Sequence, residues 1–361
     1  MRIPMKWSAL GAALGAIVLA CVLVTSAFGG AKANKQIVVF LPPTSDPYAA
    51  TWLKYGTAAA KQAGYTIKAI QTADASAAAS QVEQVVGGTL PAAFVWWPID
   101  PKAQIGSLAR LHNTGVPVFQ ANQLPVKGSQ QYLTAYSGVS DLVVGRQDGL
   151  AAVAARNALK AAGVKIHGQG TVLVTALPPG YGATVDRLAG FRQAIAGSGL
   201  KIIGIGNTKG FDAQDAFNTT SELIAAHRSA GFDIVYGEED DFAIGAIQAL
   251  DQAGFHPSKN VEVIGGSCHG NDSQLRNGKQ FSTVIQGAGL EGRFAFKTVA
   301  QYLKTKKVNP GTYQAPSSVT EPPIPATIST MNLIPVPWVT AKNYVKGSRL
   351  WGEPSSFWCQ Y

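Results

Sequence analysis

Cysteine is scarce in this chain, 3 in 361 residues, and only Cys268 and Cys359 lie beyond residue 33. That excludes a disulfide-built miniature fold and leaves at most one bridge between those two. His112, His167, His227, His256 and His269 are scattered without metal-ligand spacing, and no metal site is expected. No G-x-S-x-G occurs, so a hydrolase nucleophile elbow is absent. Gly204-Ile205-Gly206 runs into Asn207-Thr208-Lys209-Gly210, a loop where a dinucleotide fingerprint needs a helix. Cys268 and His269 are adjacent, which rarely gives a nucleophile and its base. With no assembled acid, base, nucleophile or metal set, the sequence reads as a non-enzyme without a cofactor. Charge is sparse too, at 14%. The basic residues are spread over helix faces with no cluster dense enough for nucleic acid, which is not expected as a partner.

What is present begins with a leader. Arg2 and Lys6 precede an uncharged apolar run over 7–28, followed by small residues and the A-x-A triplet Ala31-Lys32-Ala33. That order is a secretory signal peptide over 1–33, and it places the chain outside the cytoplasm, in the periplasm or on the outer face of the cell membrane. The run is also long enough to span a bilayer as a retained anchor. Val18-Leu19-Ala20-Cys21 resembles a bacterial lipobox, although Val22-Leu23-Val24 continue the run past the cysteine. Taking Arg2, Lys6 and Lys32 from the 30 basic residues leaves 27 against 21 acidic ones, a mildly basic mature chain.

Beyond residue 33 the length calls for two domains. Apolar or β-branched runs at 36–41, 65–71, 92–97 and 116–120 alternate with helical stretches at 48–63, 76–86 and 98–112. After a break near Ser137-Gly138 the alternation resumes. Strands are expected at 171–176, 201–205, 232–237, 261–264 and 282–286, and helices at 141–162, 183–196, 212–228, 240–253 and 289–304. Continuous apolar strands separated by such helices predict parallel sheets covered on both faces: an α/β chain of two doubly wound domains. The segment 310–361 is rich in Pro, Ser and Thr and reads as extended, with one short strand at 328–333.

Open α/β sheets bind ligands beyond the carboxyl ends of their strands. The residues there are Asp46, Tyr48 and Trp52 after the first strand, Trp96-Trp97 after the third and Asn122-Gln123 after the fourth. The second half adds Gly180-Tyr181, Arg187, Phe211-Asp212, the run 238–241 with Glu239, Ser267-Cys268-His269 and Gln286. From these, Asp46, Tyr48, Trp52, Trp97, Asn122, Arg187, Phe211, Glu239, Ser267 and Gln286 are the candidate ligand-binding residues. Aromatic planes suit the C–H face of a sugar, while planar amide, carboxylate and guanidinium groups suit its hydroxyls. Structural roles compete: one of two adjacent tryptophans must face the core, carboxylates at 238–241 favour a helix N-terminus, and Arg187 could be a solvated helix residue.

Taken together, these residues resemble the periplasmic type I solute-binding proteins of ABC importers, nearest in pattern to ribose- and other sugar-binding members, over 36–307. The markers are Ser45-Asp46-Pro47-Tyr48, Pro98-Ile99-Asp100, Gly115-Val116-Pro117-Val118 leading to Asn122, Asp186-Arg187-Leu188-Ala189-Gly190-Phe191, the segment 240–246, and the strand ending in Gln286. The resemblance implies two domains joined by a three-crossover hinge, over 34–139 with 287–333 and over 140–286 with 334–361. It also implies a monomer that closes on a small sugar or polyol and delivers it to an importer permease. By the same resemblance Tyr48 stacks on the sugar, and Arg187 and Gln286 bind hydroxyls. Asn122 and Ser267 stand where ribose binders carry aspartate, Glu239 where they carry asparagine, and Gln123 where an arginine is usual. A usual ribose or galactose site is therefore not expected. Alternative readings are a sensor subunit for a membrane chemoreceptor or kinase, a binder of a non-sugar catabolite, and a sugar-responsive repressor. The last needs a helix-turn-helix in front of the core, where this chain has its leader.

Overall fold

The computed structural model describes residues 34–267, 272–308, 331–333, 336 and 338–343. The leader with Cys21, the Cys268–Cys359 pairing and most of the Pro-rich tail lie outside these residues. Residues 35–361 form one compact unit.

The first half contributes β1 (Gln36–Leu41), α1 (Pro47–Gln62), β2 (Thr66–Gln71), α2 (Ala75–Val86), β3 (Ala93–Trp96), α3 (Ile105–His112), β4 (Val118–Ala121) and β5 (Ala135–Gly138). The second half contributes α4 (Asp141–Ala161), β6 (Thr171–Ala176), α5 (Gly182–Ile195), β7 (Lys201–Asn207), α6 (Ala213–His227), β8 (Ile234–Gly237), α7 (Asp240–Gln252), β9 (Glu262–Ile264), the short α8 (Ser273–Arg276) and β10 (Thr283–Val284). The chain then returns through α9 (Ala288–Thr305) and β11 (Met331–Leu333) to β12 (Trp338–Val339). One sheet has the order β11-β5-β4-β3-β1-β2 and a second β7-β6-β8-β9, with every pairing parallel. A bridge from Ile264 to Ser282 extends the second sheet, and β10 pairs antiparallel with β12. The chain crosses between the lobes after β5, after β10 and between β11 and β12. This is the expected α/β class, two doubly wound lobes with three crossovers.

Burial on both faces explains the uninterrupted apolar strands. Val39 and Leu41 of β1 lie in a core under α1 and α9, whereas Val38 and Phe40 lie in a separate core under α2 and α3. The adjacent tryptophans divide between these cores, Trp97 to the first and Trp96 to the second. Helix starts follow from capping. Asp46 accepts from the Tyr48 amide at 2.8 Å with Pro47 opening α1, and Asp74 and Asp212 cap α2 and α6 in the same way. Paired glycines bring helices together in each lobe. A Cβ on Gly292 would collide with the Trp52 backbone, and one on Gly190 with the Leu142 carbonyl, so α9 meets α1 and α5 meets α4 nearly backbone to backbone.

Three local expectations differ from the structure. α3 begins at Ile105 rather than at 98, because 99–104 folds into turns held by the Gln104 and Asp100 side chains. β4 begins at Val118, after Pro117. Residues 135–138 form strand β5 rather than only a break, since Ala-Tyr-Ser-Gly is too short and small to show a periodicity.

Candidate functional site

The carboxyl ends of both sheets face one cavity lined by Asp46, Tyr48, Trp97, Asn122, Tyr181, Arg187, Phe211, Glu239, Ser267 and Gln286. Nine of the ten candidates are thereby brought together. The tenth, Trp52, sits one layer back: it is fully buried, with its ring 5.2 Å from Trp97 and 5.4 Å from Phe296. It backs the Trp97 ring instead of lining the space.

On the first lobe, Trp97 leaves β3 and stands edge-on to Tyr48, 6.0 Å between centroids. Its indole Nε1 is buried without a hydrogen-bonding partner among the described residues. Tyr48 donates its hydroxyl to Glu291 Oε2 at 2.6 Å, and Asn122 Nδ2 donates to the same oxygen at 3.3 Å. Glu291, in the first turn of α9, is wholly buried. Burial pushes its carboxyl up to about 7, against the pull of the Tyr48 and Asn122 donors. Asn122 follows β4 with φ 61°, a left-handed conformation that asparagine tolerates better than other side-chain-bearing residues. Its carbonyl accepts from Tyr136 Oη at 2.6 Å, and the same hydroxyl bridges to the Val139 carbonyl at 2.6 Å on the first crossover.

On the second lobe Arg187 is the centre. It is buried, and three of its five N–H donors are fixed: Nε to Asp141 Oδ1 at 2.9 Å, Nη1 to the Glu238 carbonyl at 2.7 Å and Nη2 to Gln286 Oε1 at 3.0 Å. Two donors remain for the cavity it lines. Burial disfavours its charge, but Asp141 and Glu239 outweigh that and hold the guanidinium protonated. The solvated-helix reading of Arg187 is excluded. Tyr181 precedes α5 and meets Phe211 edge-on at 5.1 Å, an aromatic pair across the mouth from Tyr48 and Trp97. Ser267, beyond β9, has φ 65° and a buried Oγ without a partner among the described residues.

The acidic run divides its labour. Glu239, just before α7, lines the cavity. Glu238 accepts from the Leu177 amide at 2.8 Å, and burial pushes it up to about 8. Asp240 takes hydrogen bonds from Gln280 and Thr283, both at 2.7 Å, which ties α7 to the β10 crossing. Tyr181, Glu291 and Asp141 were not among the sequence candidates. Tyr181 follows a strand end as the others do. Glu291 and Asp141 open the helices that follow two of the crossovers, a signal visible only once the crossovers are located.

The space enclosed is small, about 20 Å³, room for a single water. Among the described residues no group of His, Cys, Asp and Glu is arranged to hold a metal ion, and no helix is long and apolar enough to cross a membrane.

Residues 37–307 match the family described as the periplasmic binding protein domain. The ribose import binding protein of Escherichia coli K12 is 29% identical over 131 residues, 36% of this chain and 42% of that protein. The chain thus aligns with less than half the length of the curated relatives it matches. Among solved structures, the Caulobacter myo-inositol binding protein bound to myo-inositol aligns with a TM-score of 0.70 and 20% identity, over 88% of this chain and 97% of the other. An ABC transporter solute binding protein from Agrobacterium vitis with bound D-fucose gives 0.68 and 24%, over 86% and 97%. The periplasmic ribose ABC transporter structure from Conexibacter woesei gives 0.66 and 20%, over 89% and 96%.

Proposed function

Because the chain belongs to the periplasmic binding protein family, we propose that it captures a small sugar or polyol outside the cytoplasm by closure of its two lobes and hands it to an ABC importer. The observation that carries this reading is the cavity itself. Its walls come from both lobes and from the β10 crossing, and they combine Tyr48, Trp97, Tyr181 and Phe211 rings with the planar polar groups of Asn122, Arg187, Glu239 and Gln286. Rings cover the apolar face of a pyranose or cyclitol, and the polar set addresses its hydroxyls. Contacts from both lobes favour the shut form, which is what a permease would recognise. Among the described residues, sheet membership supports the expected division, with α9 and β11 returning to the first lobe and β12 pairing with β10. The solved relatives with bound inositol and fucose support the ligand class.

A thermal-shift screen of the mature protein against sugars, polyols, amino acids and small aromatic acids tests it. A ligand at a hundredfold excess over its dissociation constant stabilises the folded chain by about 2.7 kcal/mol. A shift confined to sugars or polyols supports the reading. A shift confined to an amino acid or an aromatic acid overturns the ligand class while leaving the fold in place.

A further inference from the structure

Pro98-Ile99-Asp100 and Asp186, two of the sequence markers, do not line the cavity. Both lie beside it, on opposite lobes. The turns over 99–104 join β3 to α3 in the first lobe, and α5, with Gly180-Tyr181 before it, belongs to the second. A Cβ placed on Gly182 would lie 2.6 Å from Gln123 Oε1 and 3.1 Å from Pro101 Cδ, and one on Gly180 would lie 4.0 Å from Asp100 Oδ2. The neighbours of both glycines come from the first lobe, so the lobes touch here directly.

The first-lobe side of this contact is held in place. Gln104 Oε1 accepts from the Ile99 and Asp100 amides at 2.8 and 3.0 Å, and Asp100 Oδ1 accepts from the Lys102 and Ala103 amides, both at 2.9 Å. Gln123 is 2% exposed and donates through Nε2 to Asn122 Oδ1 at 2.9 Å, which leaves its Oε1 toward α5. On the second lobe, Gly182 opens α5 with a φ outside the left-handed region, so the backbone does not require glycine there. The contact does: a side chain at 182 fits only if Gln123 and Pro101 give way. Charge agrees along the same seam. Burial and Asp141 raise the Asp186 carboxyl to about 6, and Lys102 of the first lobe pulls it back toward the ionised form.

We propose that Gly182, Gln123 and the 99–104 turns form a latch that keeps the two lobes together before any ligand arrives. The inference rests on the lobe movement proposed above, and adds that the rim sets the balance between open and shut as well as the ligand does. None of these contacts passes through the cavity, so none needs it filled. Gly182 is a positioning residue for capture, and a side chain there is a wedge. Overpacking of this kind moves the closing equilibrium roughly 5- to 150-fold toward the open form.

Small-angle X-ray scattering of the mature chain, unfolded and refolded to strip carried-over ligand, tests this before the ligand is known. Gly182→Leu is expected to have a larger radius of gyration than wild type with an unchanged circular dichroism spectrum. Gly182→Ala serves if the leucine variant does not fold. Val185→Leu, on the exposed side of the same helix, is expected to scatter as wild type. Equal radii for wild type and the Gly182 variant overturn the latch, and so does expansion of Val185→Leu. Lobe closure is judged separately, by Glu239→Trp, which overfills the cavity from inside, and by adding to wild type the sugar or polyol that raises its melting temperature most. Closure stands if the first expands the chain or the second compacts it, and falls if neither does.

Discussion

At the scale of single residues, Arg187 lines the candidate cavity and Glu291 stands behind it, holding Tyr48 and Asn122. The Arg187–Asp141 pair is buried, with 4% and 2% of the side chains exposed, and a buried pair is costly to break from one side. Arg187→Ala is expected to lose ligand binding and to destabilise the chain by about 3–5 kcal/mol, read as a shift in the urea midpoint with the slope unchanged. Asp141→Ala should cost a similar amount, and the double variant less than the two together, as a double-mutant cycle would show. Tyr48→Phe removes one donor from a buried carboxylate and should cost roughly 1–3 kcal/mol in the same assay. The lining of the candidate cavity was largely legible, because strand ends follow from apolar runs and the cavity lies beyond strand ends. What stayed hidden was the partner layer. That Trp52 points to the core beside Trp97, and that Glu291 joins Tyr48 to Asn122, depends on contacts between residues far apart in sequence.

At the scale of elements, the helix pairs are fixed by glycines rather than by side-chain interlocking. Gly190→Ala would set a methyl group against the Leu142 carbonyl, and Gly292→Ala one against the Trp52 backbone. Both are expected to destabilise by about 1–3 kcal/mol or more, since the obstacle is backbone and cannot swing aside. Differential scanning calorimetry checks it. Strands and helices were readable from β-branched runs and caps such as Asp46 and Asp74. β5 was not, because four small residues carry no pattern and its strand is fixed by pairing with β4 and β11.

At the scale of the whole molecule, several buried carboxyls sit above their unfolded values: Glu238 at about 8, Glu291 at about 7 and Glu262 at about 7, each chiefly through burial. The folded chain therefore holds more protons than the unfolded chain between roughly pH 4.5 and 8. Their contribution is present in full below the unfolded value and is lost as pH rises through the folded values. The melting temperature is expected to fall from pH 5 to pH 8.5, and Glu238→Gln with Glu291→Gln to flatten that slope. A melting temperature flat or rising over this range would show that these carboxyls are ionised in the fold.

The cavity has room for one water, and if the lobes close on a ligand as proposed, the molecule would be a gauge as well as a trap. A ligand's bulk would set how far the lobes come together, and the closing angle would record its size. A compound that makes every polar contact but is one substituent too large would still bind, yet hold the jaws ajar. A partner that senses the fully shut form would ignore such a complex. Affinity and delivery would then part company, and the tightest binder in a screen need not be the cargo.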